Sequence, residues 1–210
     1  MNPRLGLIDY GSGNLRSVTK ALERVGAQVT RLTDGGRIPD LAALVLPGVG
    51  SFGDSVRQLH ARRLFEPVQR WISEGRPFLG VCLGYQLLFE RSEESPGVPG
   101  LGVLAGVVKR FAAGAVPGTL KVPHIGWNQV TWSRAVRERF TALPERAYVY
   151  FVHSYYPEPA DASVVAGTAE YGTSFAAAIA TRNVFATQFH PEKSQDAGLT
   201  ILQEFVRSLA

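Results

Sequence analysis

Cysteine is nearly absent: the 210 residues contain one, Cys82, so no disulfide can form within the chain and the fold must rest on its core. A chain of this length can bury a substantial interior as one domain, expected over 1–210. Long apolar runs are also missing. No stretch of about 18 uncharged apolar residues occurs, so no membrane-spanning helix is expected. Met1-Asn2-Pro3-Arg4 leads straight into Leu5-Gly6-Leu7-Ile8-Asp9 without the apolar segment and cleavage site of a signal peptide, and the expected location is cytoplasmic. Charge of one sign is never concentrated. The net charge is +4, and no run of five basic residues or interleaved basic and aromatic motif suggests nucleic acid. Metal-ligand spacing is lacking as well, because His60, His124 and His153 stand in no such relation to Cys82. No metal and no cofactor are expected.

What is present is an alternation of strand and helix. Leu5–Asp9, Gln28–Leu32, Leu44–Leu46 and Phe78–Val81 read as strands. Between them, Leu15, Val18, Leu22 and Val25 recur at helical spacing, Ser51 can cap a helix to about His60, another runs to Glu74, and Leu83–Glu90 reads as a helix after the fourth strand. This order predicts an α/β fold with a mostly parallel sheet covered on both faces. The second half is mostly strand-like, at Val107–Phe111, Val122–His124, Asn128–Trp132, Tyr148–Tyr155, Ser163–Ala169, Phe175–Thr181 and Val184–Phe189, with turns at Tyr171-Gly172-Thr173 and Asn183. It predicts a mixed or antiparallel extension of the sheet. Ala197–Leu209 should be a closing helix, and Ser92–Gly100 a surface loop.

Cys82 lies in Gly80-Val81-Cys82-Leu83-Gly84, between a buried strand and a helix. This is the G-x-C-x-G spacing of a nucleophile elbow, where glycines two residues either side relieve crowding at a sharp turn. The turn aims the amides of the helix start at the sulfur. They favour a thiolate and can hold an oxyanion at the residue after the nucleophile, Leu83. A cysteine nucleophile needs a base, and the base an orienter. His190-Pro191-Glu192 offers both, since proline biases His190 toward an extended conformation and residues two apart in an extended chain share a face. His153 is a second candidate base, but no carboxylate stands near it, and it is read as structural. Leu46-Pro47-Gly48-Val49-Gly50-Ser51-Phe52 is a glycine turn between strand and helix that lets backbone amides approach a ligand.

Together these pieces resemble the class I glutamine amidotransferases over nearly the whole chain, through Gly80-Val81-Cys82-Leu83-Gly84-Tyr85-Gln86 and His190-Pro191-Glu192. Many members have His or Met where Tyr85 stands here, beside the nucleophile but outside the triad. Within that class the chain is similar to the glutaminase subunits of imidazole glycerol phosphate synthases. Tyr10–Leu15, Leu46–Gly50, Val122-Pro123-His124-Ile125-Gly126-Trp127-Asn128, Tyr150–Tyr155 and Gln188–Ser194 carry this likeness. The resemblance implies a flavodoxin-like amidotransferase fold and a Cys82–His190–Glu192 triad that hydrolyses glutamine. It also implies an oxyanion hole from Val49, Gly50 and Leu83, and glutamine binding by Gly48, Gln86, Ser154 and Tyr155. The implied partner is a (β/α)8-barrel cyclase that uses the ammonia to make imidazole glycerol phosphate and aminoimidazole carboxamide ribonucleotide. Asn14, Trp127 and Lys193 match positions near that interface. The Gly48-Val49-Gly50 turn is read as a switch, because glycines let a peptide flip at low steric cost.

Three rival readings share the fold. The glutaminase of pyridoxal 5'-phosphate synthase typically has Pro-Gly-Gly-Glu-Ser where this chain has Pro47-Gly48-Val49-Gly50-Ser51. A stand-alone γ-glutamyl hydrolase would turn over without a partner. A catalytically dead binding module would not be expected to keep Cys82, His190 and Glu192 together.

Overall fold

The computed structural model describes residues 2–36, 38, 40–112 and 120–209. The first half runs β1 (Arg4–Ile8), α1 (Leu15–Arg24), β2 (Gln28–Leu32), β3 (Ala43–Gly48), α2 (Phe52–Ala61), α3 (Phe65–Ser73), β4 (Phe78–Cys82) and the single turn α4 (Leu83–Gln86). The second runs β5 (Phe89–Ser92), β6 (Leu104–Arg110), β7 (His124–Trp132), α5 (Arg134–Arg139), β8 (Arg146–His153), β9 (Tyr155–Pro159), β10 (Val165–Glu170), β11 (Ser174–Ala180), β12 (Val184–Thr187) and α6 (Gln195–Arg207).

Nine strands form one sheet in the order β2-β1-β3-β4-β12-β11-β10-β7-β8. From β2 to β12 the neighbours are parallel, and from β12 to β8 they are antiparallel. The fold is thus α/β with the antiparallel extension expected from the second half, and β12 occupies the fifth place of a flavodoxin-like parallel order. Successive residues of a strand point to opposite faces, and here both faces are filled. Leu5, Leu7, Ala43, Val45, Leu79, Val81 and Phe185 pack with α1, α5 and α6. Ile8, Leu44, Leu46, Phe78, Val184 and Ala186 pack with α2, α3 and α4. Among the described residues no helix is long and apolar enough to cross a membrane.

Several elements differ from the sequence reading. The helix expected over Leu83–Glu90 is one turn long. Leu87, Leu88 and Phe89 are all fully buried, which a one-faced helix cannot achieve. The Leu87 and Leu88 carbonyls instead accept from Leu101, Val103 and Leu104 amides, and Phe89 enters a second sheet, β5-β6-β9, that was not foreseen. The strands expected at 122–124 and 128–132 are one, β7, which passes through Gly126 at φ 129. The strand expected over Tyr148–Tyr155 breaks at Ser154, where the chain leaves the large sheet for the small one. Helix α5, capped by the Ser133 side chain, was also missed. The 92–100 loop is tied down rather than free, since Glu94 and Ser95 accept from the Phe52 and Gly53 amides at the start of α2.

Candidate functional site

Strand register assembles the site. Gly48 at the end of β3 pairs with Cys82 at the end of β4, and Thr187 at the end of β12 pairs with Val81. Three carboxyl ends therefore meet at one edge, where ligand sites of open α/β sheets collect. Cys82 sits there at φ 54, ψ −107, a conformation costly for a residue with a Cβ. The flanking glycines are needed. A Cβ on Gly80 would stand 2.9 Å from the Gly84 carbonyl oxygen, and one on Gly84 would overlap the Leu46 carbonyl. One on Gly48 would overlap the Tyr10 hydroxyl, whose phenol burial pushes up to about 12.

His190 follows β12 and is 3% exposed. Its amide donates to the Tyr150 carbonyl at 2.9 Å. Ser194 Oγ donates to the His190 carbonyl at 2.6 Å and accepts from the Tyr150 amide at 3.0 Å, so the loop is pinned to β8. His190 Nδ1 donates to Glu192 Oε1 at 2.8 Å, with both side chains 3% exposed. The expected mechanism of that contact needs correction. His190 is extended, but Pro191–Lys193 form a 3-10 turn, so Glu192 meets the ring across a turn rather than along a strand. Burial by itself would lower the His190 pKa. The charge and proximity of a Cys82 thiolate, with Glu192, outweigh it and hold the imidazole up to about 10. Nε2 is buried and, among the described residues, has no hydrogen-bond partner of good geometry, which leaves it available on the cysteine side.

The cleft beside the sulfur has a volume of ≈ 300 Å³. Val49, Gly50, Leu83, Gln86, Ser154 and Tyr155 line it, all singled out from the sequence. Gly48 is not a lining residue; it is buried beneath the turn, and what it supplies there is space. Val49 is exposed, and its carbonyl accepts from Ser12 Oγ. Gln86 Nε2 donates to the Tyr155 carbonyl at 2.9 Å and to Gln188 Oε1 at 3.0 Å, while Gln188 Nε2 approaches Cys82 Sγ at 3.8 Å. Gln188, Ser194, Glu94 and Pro123 were missed as site residues. Gln188 carried a usable signal, since it stands two residues before His190 at a strand end.

The expected interface residues lie outside the cleft. Ile125 and Trp127 alternate along β7, and Tyr148 and Tyr150 along β8, on one face of that antiparallel pair. Ile125, Trp127 and Tyr148 are 59%, 48% and 60% exposed. Lys193 Nζ stands 5.8 Å from the Tyr150 ring centroid, and Trp127 meets that ring edge-on. Asn14 is exposed and caps α1 through the Ser17 amide. Among the described residues no group of three or more His, Cys, Asp or Glu could hold a metal.

A family model described as glutamine amidotransferase class-I matches residues 6–209. The chain is 51% identical over 206 residues to the imidazole glycerol phosphate synthase subunit HisH of Syntrophotalea carbinolica, covering 95% of this chain and 97% of that protein. It is 48% identical over 205 residues to the protein of the same name from Aquifex aeolicus, covering 97% and 96%. Among solved structures, a glutamine amidotransferase superposes with a TM-score of 0.74 at 20% identity, covering 98% of each chain. PurLQS from Thermotoga maritima superposes with a TM-score of 0.76 at 20% identity, covering 100% of each; these two likenesses concern the fold.

Proposed function

The chain belongs to the class I glutamine amidotransferases, and from that premise we propose that Cys82, His190 and Glu192 hydrolyse glutamine in the glutaminase subunit of an imidazole glycerol phosphate synthase of histidine biosynthesis. The observation that carries the catalytic assignment is the convergence at one sheet edge of a strained cysteine and a buried His190–Glu192 pair. The relatives' name supports the subunit assignment. The pyridoxal phosphate synthase and stand-alone hydrolase readings are not favoured.

The reactive form of the site is a Cys82 thiolate facing the His190 imidazolium. The sulfur attacks the amide carbon of glutamine, and the Leu83 and Val49 amides, with Gly50, hold the oxyanion. His190 Nε2–H gives its proton to the departing nitrogen as the C–N bond breaks, releasing ammonia and leaving a glutamyl thioester. Neutral Nε2 then takes a proton from water, hydroxide adds to the thioester, and the C–S bond breaks to give glutamate and the thiolate–imidazolium pair again. Glu192 keeps the Nδ1–H tautomer throughout. Gln86, Ser154 and Tyr155 hold the glutamine.

A subunit works within a complex. The finer reading is a (β/α)8-barrel cyclase docked on the face carrying Ile125, Trp127, Tyr148 and Lys193, with Asn14 at its margin. Ammonia released into water would protonate and be lost, so the partner must sit close to Cys82. The test is to purify the chain with that cyclase and follow glutamate and imidazole product together. Equal yields are expected from the wild type, and Lys193→Ala should make glutamate outrun product. Absence of glutamate release from the complex with its acceptor substrate present would overturn the reading.

A further inference from the structure

His153, in the wall of the cleft, and His124, its neighbour outside that lining, form a pair of histidines that the proposed reaction does not use. His124 and His153 are register partners across β7 and β8, 3% and 6% exposed, with His124 stacked between Phe151 and Tyr171. His124 Nδ1 and His153 Nε2 are 2.9 Å apart, and His153 Nδ1 lies 2.8 Å from the Tyr155 carbonyl oxygen. Asn128 Nδ2 lies 3.3 Å from His124 Nε2, while Asn128 Oδ1 accepts from the Gln129 amide at 2.7 Å.

These contacts admit one proton arrangement for a neutral pair. A carbonyl oxygen only accepts, so His153 Nδ1 carries its hydrogen. Its Nε2 is then a lone pair, and His124 Nδ1 must donate to it. That leaves His124 Nε2 as an acceptor for Asn128. Burial, helped at His153 by the neighbouring His124 and His190, holds the pair at about 4 and about 3, so both rings are neutral under working conditions. The one-way chain ends on the Tyr155 carbonyl, whose other lone pair takes Gln86 Nε2–H at 2.9 Å. Gln188 Oε1 takes the second hydrogen of that nitrogen at 3.0 Å. Gln86 lines the cleft, and with both Nε2 hydrogens committed, the atom it has left for a ligand is the acceptor Oε1.

We propose that His124 and His153 are positioning residues: their tautomer-locked chain fixes the Tyr155 carbonyl and so holds Gln86 with its oxygen toward the cleft, ready to accept from the ammonium group of an amino-acid substrate. This rests on the glutaminase reading. Reversing any one link would leave two hydrogens or two lone pairs facing each other in a dry site, which is costly. The amide would then be free to turn its nitrogen to the ligand.

The test uses the full chain and two electrophiles that alkylate Cys82. One is a diazoketone analogue of glutamine, which must occupy the cleft; the other is iodoacetamide, which has no amino-acid moiety. His153→Leu should raise the inactivation constant KI of the diazoketone by about tenfold to a hundredfold, the loss of one hydrogen bond to a charged group. The maximal inactivation rate and the iodoacetamide rate should not change. His153→Asn, which keeps an N–H near the Nδ1 position, should restore most of the lost affinity. His124→Leu, at a side chain that does not line the cleft, should give a smaller shift in the same direction, and it takes the place of His153→Leu if that variant does not accumulate. An unchanged KI in the leucine variants, or a parallel loss with both electrophiles that asparagine does not restore, would overturn the proposal. Wild-type Cys82 that reacts with iodoacetamide but never with the diazoketone would instead overturn the glutaminase reading, and this proposal with it.

Discussion

Glu192→Gln isolates the charge on the group that orients His190. Glu192 Oε1 accepts from Nδ1–H at 2.8 Å in a site where both side chains are 3% exposed. A glutamine oxygen can occupy the same place, so the tautomer survives and only the charge is lost. A hydrogen bond to a charged group contributes about 1.5–3 kcal/mol, against about 0.5–1.5 for a neutral pair. The imidazolium thus loses about 1–2 kcal/mol of support, which lowers its pKa by about one unit from the value near 10. The sign follows from linkage. A histidine raised above its ordinary 6.5 contributes stability below that pH and loses it as pH climbs through the folded-state value, so the variant should lose this stability earlier on the alkaline side. Turnover should fall about 5-fold to 30-fold if the same energy is missing where His190 acts as acid. Glu192 Oε2 has no partner among the described residues, so the new amide also buries hydrogens with nothing there to accept them, and the melting temperature should drop. Steady-state glutamate release and the pH profile of Cys82 alkylation read these effects. A loss as large as that of His190→Ala, or an alkaline limb that does not move, would refute the assignment of Glu192 as an orienter acting through charge.

Cys82→Gly should abolish hydrolysis while raising stability by about 1 kcal/mol or more, because glycine tolerates φ 54 that cysteine does not; chemical denaturation checks it. Gly84→Ala should cost at least about 1–3 kcal/mol and most of kcat, since its Cβ would overlap backbone at Leu46 and push α4 away from β3, as thermal melting and kinetics would show. His124 and His153 are neutral when folded but take up protons at ordinary pH when unfolded. Stability should therefore fall as pH drops from about 6.5 toward 4, by on the order of 3 kcal/mol for the first proton, and His124→Leu should flatten that slope in denaturant titrations.

The parallel half was legible because Leu44–Leu46 and Phe78–Val81 are apolar on both faces, as central strands must be, and because the Gly80 and Gly84 spacing has a steric cause visible in the residues alone. The short α4 was not. Leu87, Leu88 and Phe89 suit a helix locally, and only the distant amides of Leu101, Val103 and Leu104 divert them. The His190–Glu192 contact was foreseen for a partly wrong reason, since an extended chain and a 3-10 turn can both bring i and i+2 together. Gln188 meets Cys82 across 106 residues, and His124 meets His153 only in the β7–β8 register. Such contacts leave no local pattern, because they depend on which strands become neighbours.

The most direct test of Cys82 as the nucleophile compares glutamine with an ammonium salt as nitrogen source for the assembled synthase carrying Cys82→Ala. Cys82 as the sole nucleophile predicts no imidazole product from glutamine and wild-type rates from ammonium, since only the release of ammonia depends on the sulfur. Glutamine-dependent product at a rate near wild type would contradict it.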